Sequence, residues 1–390
     1  MIQFAELMQP MENIIREKFL PALIEDDAHI TDIERALYAL PARHGGLGID
    51  NPVLDAPYKF DASVKITHDL KTLIKSSSRD YTVDPDKQKK LKLEIKKSKE
   101  ARLKGEKSAL RASSSDEMKR AIDLASEKGA SCIFTALPLA EQDFVFRSKR
   151  DFRDLIRIRY RKHIPNLPTV CPCGASYSLD HSQICKLSGF IHLRHDEEKR
   201  LFAYQGKKVF RDVEVEPPLL PLNGEEMKLK SANIRPDARS DVRIRGFWTK
   251  KENAFFDFRI FYPFASSYLS KSTADLYKHV ENIKKREYQQ RVCEVEGGSF
   301  TPMVMSSSGG MGPQMVIALK HLARKISLKK NEPYAKVMGV LRCRFCFTMM
   351  RAAIVCLRGS RSLRPRSFDL EAEDILDSHA SVVSHEAMIR

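Results

Sequence analysis

At 390 residues the chain is long enough for two or three domains, each with a real core. Its 42% hydrophobic and 30% charged content is ordinary for a soluble globular protein, and a net charge of +16 favours a polyanionic partner, nucleic acid before membrane. A membrane span is excluded, because the most apolar late stretch, Ala335–Leu357, is broken by Lys336, Arg342, Arg344 and Arg351. No secretory leader is visible either: Met1–Ile24 is amphipathic and carries Glu6, Glu12, Arg16 and Glu17. Eight cysteines, three of them within fifteen positions, point to a reducing compartment and one metal site rather than a disulfide framework.

Met1–Asp50 reads as two helices and a loop. Glu12–Leu20 has helical patterning, and Thr31 followed by Glu34 predicts a capped helix over Thr31–Ala39. Leu40–Ile49 is a glycine-rich turn that lacks the preceding strand and the Lys-Ser/Thr ending of a phosphate cradle. From about Asp61 to Glu127 the chain turns polar and predicts a long exposed helix or a charged linker. Within it Lys87–Arg111 holds eleven Lys/Arg against three Glu, a net +8, which reads either as a solvated face or as a phosphate contact. Ala130–Pro168 is a basic helical segment. A helix over Phe152–Tyr160 carries Arg153 and Arg157, with Arg161 just past its end, and their four-residue spacing sets them on one face where a nucleic-acid backbone could lie.

Cys171-x-Cys173, His181 and Cys185 then supply three thiolates and an imidazole within fifteen residues. That is the donor set of a closed, tetrahedral, structural zinc site, with Gly174 suited to the chain reversal between donors. The Cys-x-Cys step is one residue tighter than the commonest knuckles, so His192 or His195 stays open as the fourth ligand. Cys343-x-x-Cys346 sits in an amphipathic helical pattern and is expected in a core.

Two runs with period-2 patterning follow, Asp241–Trp248 and Ala254–Phe261, and a turn near Thr249 would pair them. In the second, Phe256, Phe258 and Ile260 point one way; Phe255, Asp257, Arg259 and Phe261 point the other. A carboxylate among four phenylalanines is costly to bury unless something pairs with it, and a metal ion is one candidate. The turn would set Asp241 opposite Asp257, an arrangement suited to Mg²⁺-dependent hydrolysis; an exposed ion pair of Asp257 with Arg259 is the simpler alternative. Ser299–Met305 predicts a late strand of the same sheet, Ser306–Gly312 a connection, and Gln314–Lys325 with Ala335–Leu357 the covering helices. The tail from Arg358, basic and then acidic, is expected to be loosely ordered.

The order of these features resembles the region downstream of the polymerase in non-LTR retrotransposons that carry a restriction-like endonuclease. The residues that carry the likeness are Leu40–Ile49, the Cys-Cys-His-Cys cluster, Arg194-His195-Asp196-Glu197, Glu214-Val-Glu216-Pro217, Asp241, Asp257 and Lys284-Lys285-Arg286-Glu287-Tyr288. It covers about residues 130–361. The resemblance implies a mixed α+β architecture: a helical, basic N-terminal half, a zinc knuckle over 171–192, and over 193–358 a restriction-like mixed sheet of the PD-(D/E)XK superfamily flanked by helices. It implies Asp241 and Asp257 as Mg²⁺ ligands, with Asp237 a competing choice, and Glu197 on the first helix of that core as an assistant.

Arg259 stands where the superfamily's lysine is usual. Arginine stays protonated and can clamp a phosphate but cannot act as a base. The resemblance moves the lysine to a later helix, at Lys284 or Lys285, with Lys278 as the alternative. The implied activity is nicking of a DNA target, with the element's own RNA as a further partner, in the nucleus or between nucleus and cytoplasm. Arg153, Arg157, Arg161, Arg194 and His195 are the expected nucleic-acid contacts. No Tyr-x-Asp-Asp polymerase signature occurs, so a truncated or domesticated element is expected; the competing reading is a binding module of the same fold without catalysis.

Overall fold

The computed structural model describes residues 2–24, 29–76, 84–136, 144–146 and 148–361, and the chain divides into two compact units, Met1–Ser126 and Glu127–Arg390. Nearly all of the acidic tail expected to be loosely ordered, from residue 362 on, lies outside the described residues, as does Leu137–Leu139 at the end of the apolar stretch Cys132–Leu139. The whole is mixed α+β, with a four-stranded mixed open sheet. No described helix is long and apolar enough to cross a membrane.

The first unit is helical: α1 (Ile2–Ile14), continued through a π-helical turn into α2 (Leu20–Ile24), then α3 (Asp32–Ala39), α4 (Pro52–Ser76), α5 (Pro85–Ala112) and α6 (Asp116–Ala125). The Thr31 hydroxyl accepts from the Glu34 backbone N–H while the Glu34 carboxylate accepts from that of Thr31, the reciprocal cap expected at the start of α3. Arg35 is buried and would be costly alone; it forms a fork on Glu12 at 2.6 and 2.7 Å and donates to the carbonyls of Ile49 and Asp50. That ties the glycine-rich turn to α1 and α3. In place of a linker, α4 and α5 pack on one another, with Arg102 of α5 bound to Asp55 at 2.7 Å and lying over the Tyr58 ring.

The second unit runs α7 (Lys149–Tyr160), α8 (Leu179–Ile184), α9 (Phe190–Lys207), β1 (Val213–Val215), β2 (Val242–Arg245), β3 (Asn253–Phe261), α10 (Thr273–Glu294), β4 (Ser299–Ser306), α11 (Pro313–Lys330) and α12 (Tyr334–Arg358). The sheet order is β1-β2-β3-β4: the first three strands form an antiparallel meander, and α10 carries the chain over to β4, parallel to β3. Alternation in β3 then decides what each face carries. Phe256 and Phe258 enter the large core shared with α9, α11 and α12, while Phe255 and Phe261 face α10.

Helix α10 answers with a stripe at four-residue spacing. Leu276 and Val280 pack on Phe261, and Tyr288 and Val292 pack on Phe255. Asp257 lies between the two phenylalanines on β3, and Lys284 lies between the two apolar halves of the α10 stripe. The fold therefore brings one acid and one base together between the apolar halves of this layer.

The candidate functional sites

Asp257 is 4% exposed and its carboxylate lies 2.9 Å from Lys284 Nζ, which also reaches Glu287 at 3.2 Å and sits over the Tyr288 ring. Burial, and then the nearby Asp241 carboxylate, push Asp257 up to about 7 despite the lysine. Lys284 is held above its usual value, since burial opposes its charge but Asp257, Glu287 and Tyr288 together outweigh burial.

Asp241 immediately precedes β2, and the Val242↔Phe256 register continues to Asp241 opposite Asp257. Its carboxylate accepts the Phe258 backbone N–H and lies 3.2 Å from His195 Nε2, which is also 3.2 Å from the Phe258 carbonyl. A chain of charges extends outward. His195 Nδ1 meets Asp196 at 3.3 Å, Asp196 meets Lys199 at 2.9 Å, and Lys199 bonds Glu216 just past the end of β1. Burial disfavours a charged His195, but Asp196 and Asp241 prevail and push the imidazole up to about 9. It is therefore an imidazolium at neutral pH.

The other expected catalytic residues are spread out. Arg259 is exposed on the Asp257 side of β3. Lys285 acts on Glu281 rather than Asp257, Lys278 is exposed, and Asp237 is exposed in the loop before β2. Glu197, on α9, bears on Glu198 and Cys356.

Glu198 was not anticipated. It is fully buried, its carboxylate oxygens have no hydrogen-bond partner, and burial raises its pKa well above the usual range. Nothing in its one-position offset from Glu197 marks it in a sequence. His195 as the partner of Asp241 was also missed, since the two lie 46 residues apart.

The expected nucleic-acid contacts are largely engaged within the protein. Arg157 is buried beside Asp154 at 3.8 Å, and Arg161 bonds Asp180 and the Tyr262 hydroxyl and lies over Phe264. Arg194 is buried and donates to the side chain and carbonyl of Gln183. Arg153 is half-buried on α7.

Cys171, Cys173, His181 and Cys185 converge, their donor atoms all within 4.8 Å of one another, and such a Cys₃His group could hold a metal ion such as zinc. Sγ of Cys171 and Cys185 are 3.9 Å apart, and Cys173 Sγ is 3.4 Å from His181 Nε2. The edges of a zinc tetrahedron built from bonds of about 2.0–2.3 Å are about 3.5–3.8 Å, so the donor set fits.

The local fold explains the approach. Gly174 adopts φ +87° and donates to the Cys171 carbonyl, closing the turn, while the Ser178 hydroxyl caps α8 so that His181 faces the cysteines. The Ala175 backbone amide holds the Cys173 thiol below its ordinary value, favouring the thiolate a metal requires. His192 is exposed outside this group and His195 stands at Asp241. The knuckle is tied to α12 through Tyr177 OH to the Leu357 carbonyl (2.6 Å) and Gln183 to the Ala353 carbonyl (3.0 Å). Cys346, by contrast, is a core thiol of α12, raised by burial to about 12.

The Ser306–Gly312 connection is not shaped to receive a phosphate. Its amides are used at home, Gly310 on the Ser306 hydroxyl and Gly312 on the Val304 carbonyl, and a Cβ at Gly310 would meet Glu127 Oε2 at 1.5 Å. No protein-family model matches the chain, and no curated protein matches it.

Proposed function

We propose that this chain is a metal-dependent DNA endonuclease of the restriction-like kind, derived from a non-LTR retrotransposon and nicking its target. The observation that carries the reading is the buried Asp257, near Asp241 at the start of the adjoining strand and paired with a lysine from the crossover helix. An acid raised towards 7 by burial, and then by a second acid, is a group a divalent cation would relieve. Support also comes from the mixed sheet flanked by helices.

Asp241 and Asp257 would hold Mg²⁺, which supplies charge neutralisation and an acidified water at the scissile phosphate. Lys284, charged beside Asp257, would stabilise the negative charge that develops on the phosphoryl oxygens. Arg259, exposed on the same side of β3, would clamp a phosphate without moving a proton. His195 would hold Asp241 in place through Nε2. The Cys₃His group would bind zinc, and that zinc would be structural, since four protein donors leave no open position.

A second reading, a nucleic-acid-binding module of the same fold without catalysis, is favoured by the same contacts. His195 and Lys284 already neutralise the two acids. Nicking of supercoiled plasmid separates the two readings. The endonuclease reading expects relaxation with Mg²⁺, none with Ca²⁺, and a loss of at least about 100-fold in Asp257→Ala, the scale seen when a transition-state charge contact is removed. Equal activity in wild type and Asp257→Ala would refute it.

A further inference from the structure

The arginines expected to hold nucleic acid near the knuckle are occupied inside the second unit, yet the chain's +16 must lie somewhere. A large part of it lies on α5 in the first unit, where Lys87–Arg111 carries a net +8. Its inner side is fixed by Gln88, Leu91, Ile95 and Arg102, all partly buried. The opposite side presents Lys90, Lys97 and Lys104, with Lys89 and Lys96 on its flank, all exposed.

Seven-residue spacing brings each side chain back to within about 20° of the previous one, so Lys90, Lys97 and Lys104 form one row about 21 Å long, and Lys89 and Lys96 a shorter row about 10 Å long, about 100° away round the helix. Among the described residues none of these five lysines makes an ion pair. The glutamates of α5 that could quench them are mostly engaged: Glu100 with Arg43 and His44, and Glu106 with Arg102.

From this geometry we infer that the outer face of α5 is a sequence-independent binding surface for the phosphate backbone of double-stranded nucleic acid. The chemistry narrows the partner. A membrane-surface helix needs an apolar face free to insert, and the apolar side of α5 is packed against α4. Single-stranded binding modules add aromatic platforms for the bases, and Pro85–Ala112 contains no Phe, Tyr or Trp. What remains is a helix face of point charges without aromatic groups, suited to a duplex that carries one phosphate charge per about 1.7 Å of axis. This surface does not depend on the nuclease reading, because it needs neither metal nor cleavage.

The test is fluorescence anisotropy of the full chain against a labelled 30-base-pair duplex, a single strand of equal length, and poly-glutamate as competitor, without added Mg²⁺, from 50 to 200 mM salt. The variant K89Q/K90Q/K96Q/K97Q/K104Q is compared with wild type and with the matching five-fold Lys→Arg chain. All five positions are exposed, and retained helicity by circular dichroism verifies the fold. The slope of log K against log salt should become shallower by about 4 to 5 in the Gln variant, close to 0.9 per lysine, and affinity at 50 mM should fall at least about 30-fold. The Arg chain should keep wild-type behaviour. A slope changed by less than about 1 in the Gln variant would overturn the assignment. So would tighter binding of the single strand than the duplex, or equal competition by poly-glutamate at matched charge, which would make the partner an acidic protein.

Discussion

Replacing Asp257 by Asn removes one charge from the centre of the α10–sheet layer and leaves the shape nearly unchanged. In the wild type the carboxyl is raised from 3.8 to about 7. The unfolded chain therefore ionises at lower pH than the folded one, and stability is lost as pH rises from about 4 to about 7. At about 1.4 kcal/mol per pKa unit, the loss assignable to this residue is about 4 kcal/mol. Lys284 does not reverse the sign, because its attraction is already contained in the value of 7.

The chain has a single tryptophan, Trp248, whose indole N–H donates to Thr301 Oγ1 on β4, so its fluorescence reports unfolding of this unit. Urea unfolding from pH 4 to 8 should show wild type losing several kcal/mol relative to Asp257→Asn, with the two curves meeting near pH 4. Mg²⁺ at about ten times its Kd should return about 1.4 kcal/mol to wild type and nothing to the variant. Parallel pH profiles for the two proteins would refute the buried, charge-crowded environment assigned to Asp257.

Three further outcomes follow from other contacts. Cys185→Ser should reduce bound zinc from one per chain to near zero by atomic absorption, and it should lower Tm, because the knuckle anchors α12 through Tyr177 and Gln183. Glu198→Gln should raise Tm at pH 7–8, where the wild type must either ionise in an apolar site or stay protonated against the solution. The gain should disappear below about pH 4.5, where the unfolded carboxyl is protonated as well; scanning calorimetry at both pH values measures it. Arg358→Met should cost about 3–5 kcal/mol in chemical unfolding, since Arg358 forms a fork at 2.7 Å on the fully buried Asp154 and also donates to the Pro165 and Asn166 carbonyls.

How much of this was legible in the sequence depended on how local the cause was. The reciprocal cap at Thr31, the alternation of β3 and the cysteine spacing are each set by residues a few positions apart, and each formed where the pattern places it. The choice of Lys284 over its neighbours was available too, because it alone falls in register with Leu276, Val280, Tyr288 and Val292. Strand β1 was not legible. Three residues with two exposed members carry almost no pattern, and the strand exists because β2 offers it a pairing edge. The polar run before residue 127 read as linker or long helix because a lysine-rich face hides the short apolar side on which α4 and α5 pack. His195 was expected at nucleic acid or as a fourth zinc ligand, but its partner Asp241 arrives from 46 residues away by tertiary packing that no periodicity encodes.

The claim on which the functional account stands is that Asp241 and Asp257 hold one divalent cation between them. Calorimetric titration of Mn²⁺ into the zinc-loaded chain measures this without any cleavage. Wild type should bind at a site that Asp241→Asn and Asp257→Asn each weaken by at least about tenfold, the equivalent of about 1.4 kcal/mol, with zinc content unchanged. Mn²⁺ binding of equal strength in all three proteins, or none in any of them, would contradict the account.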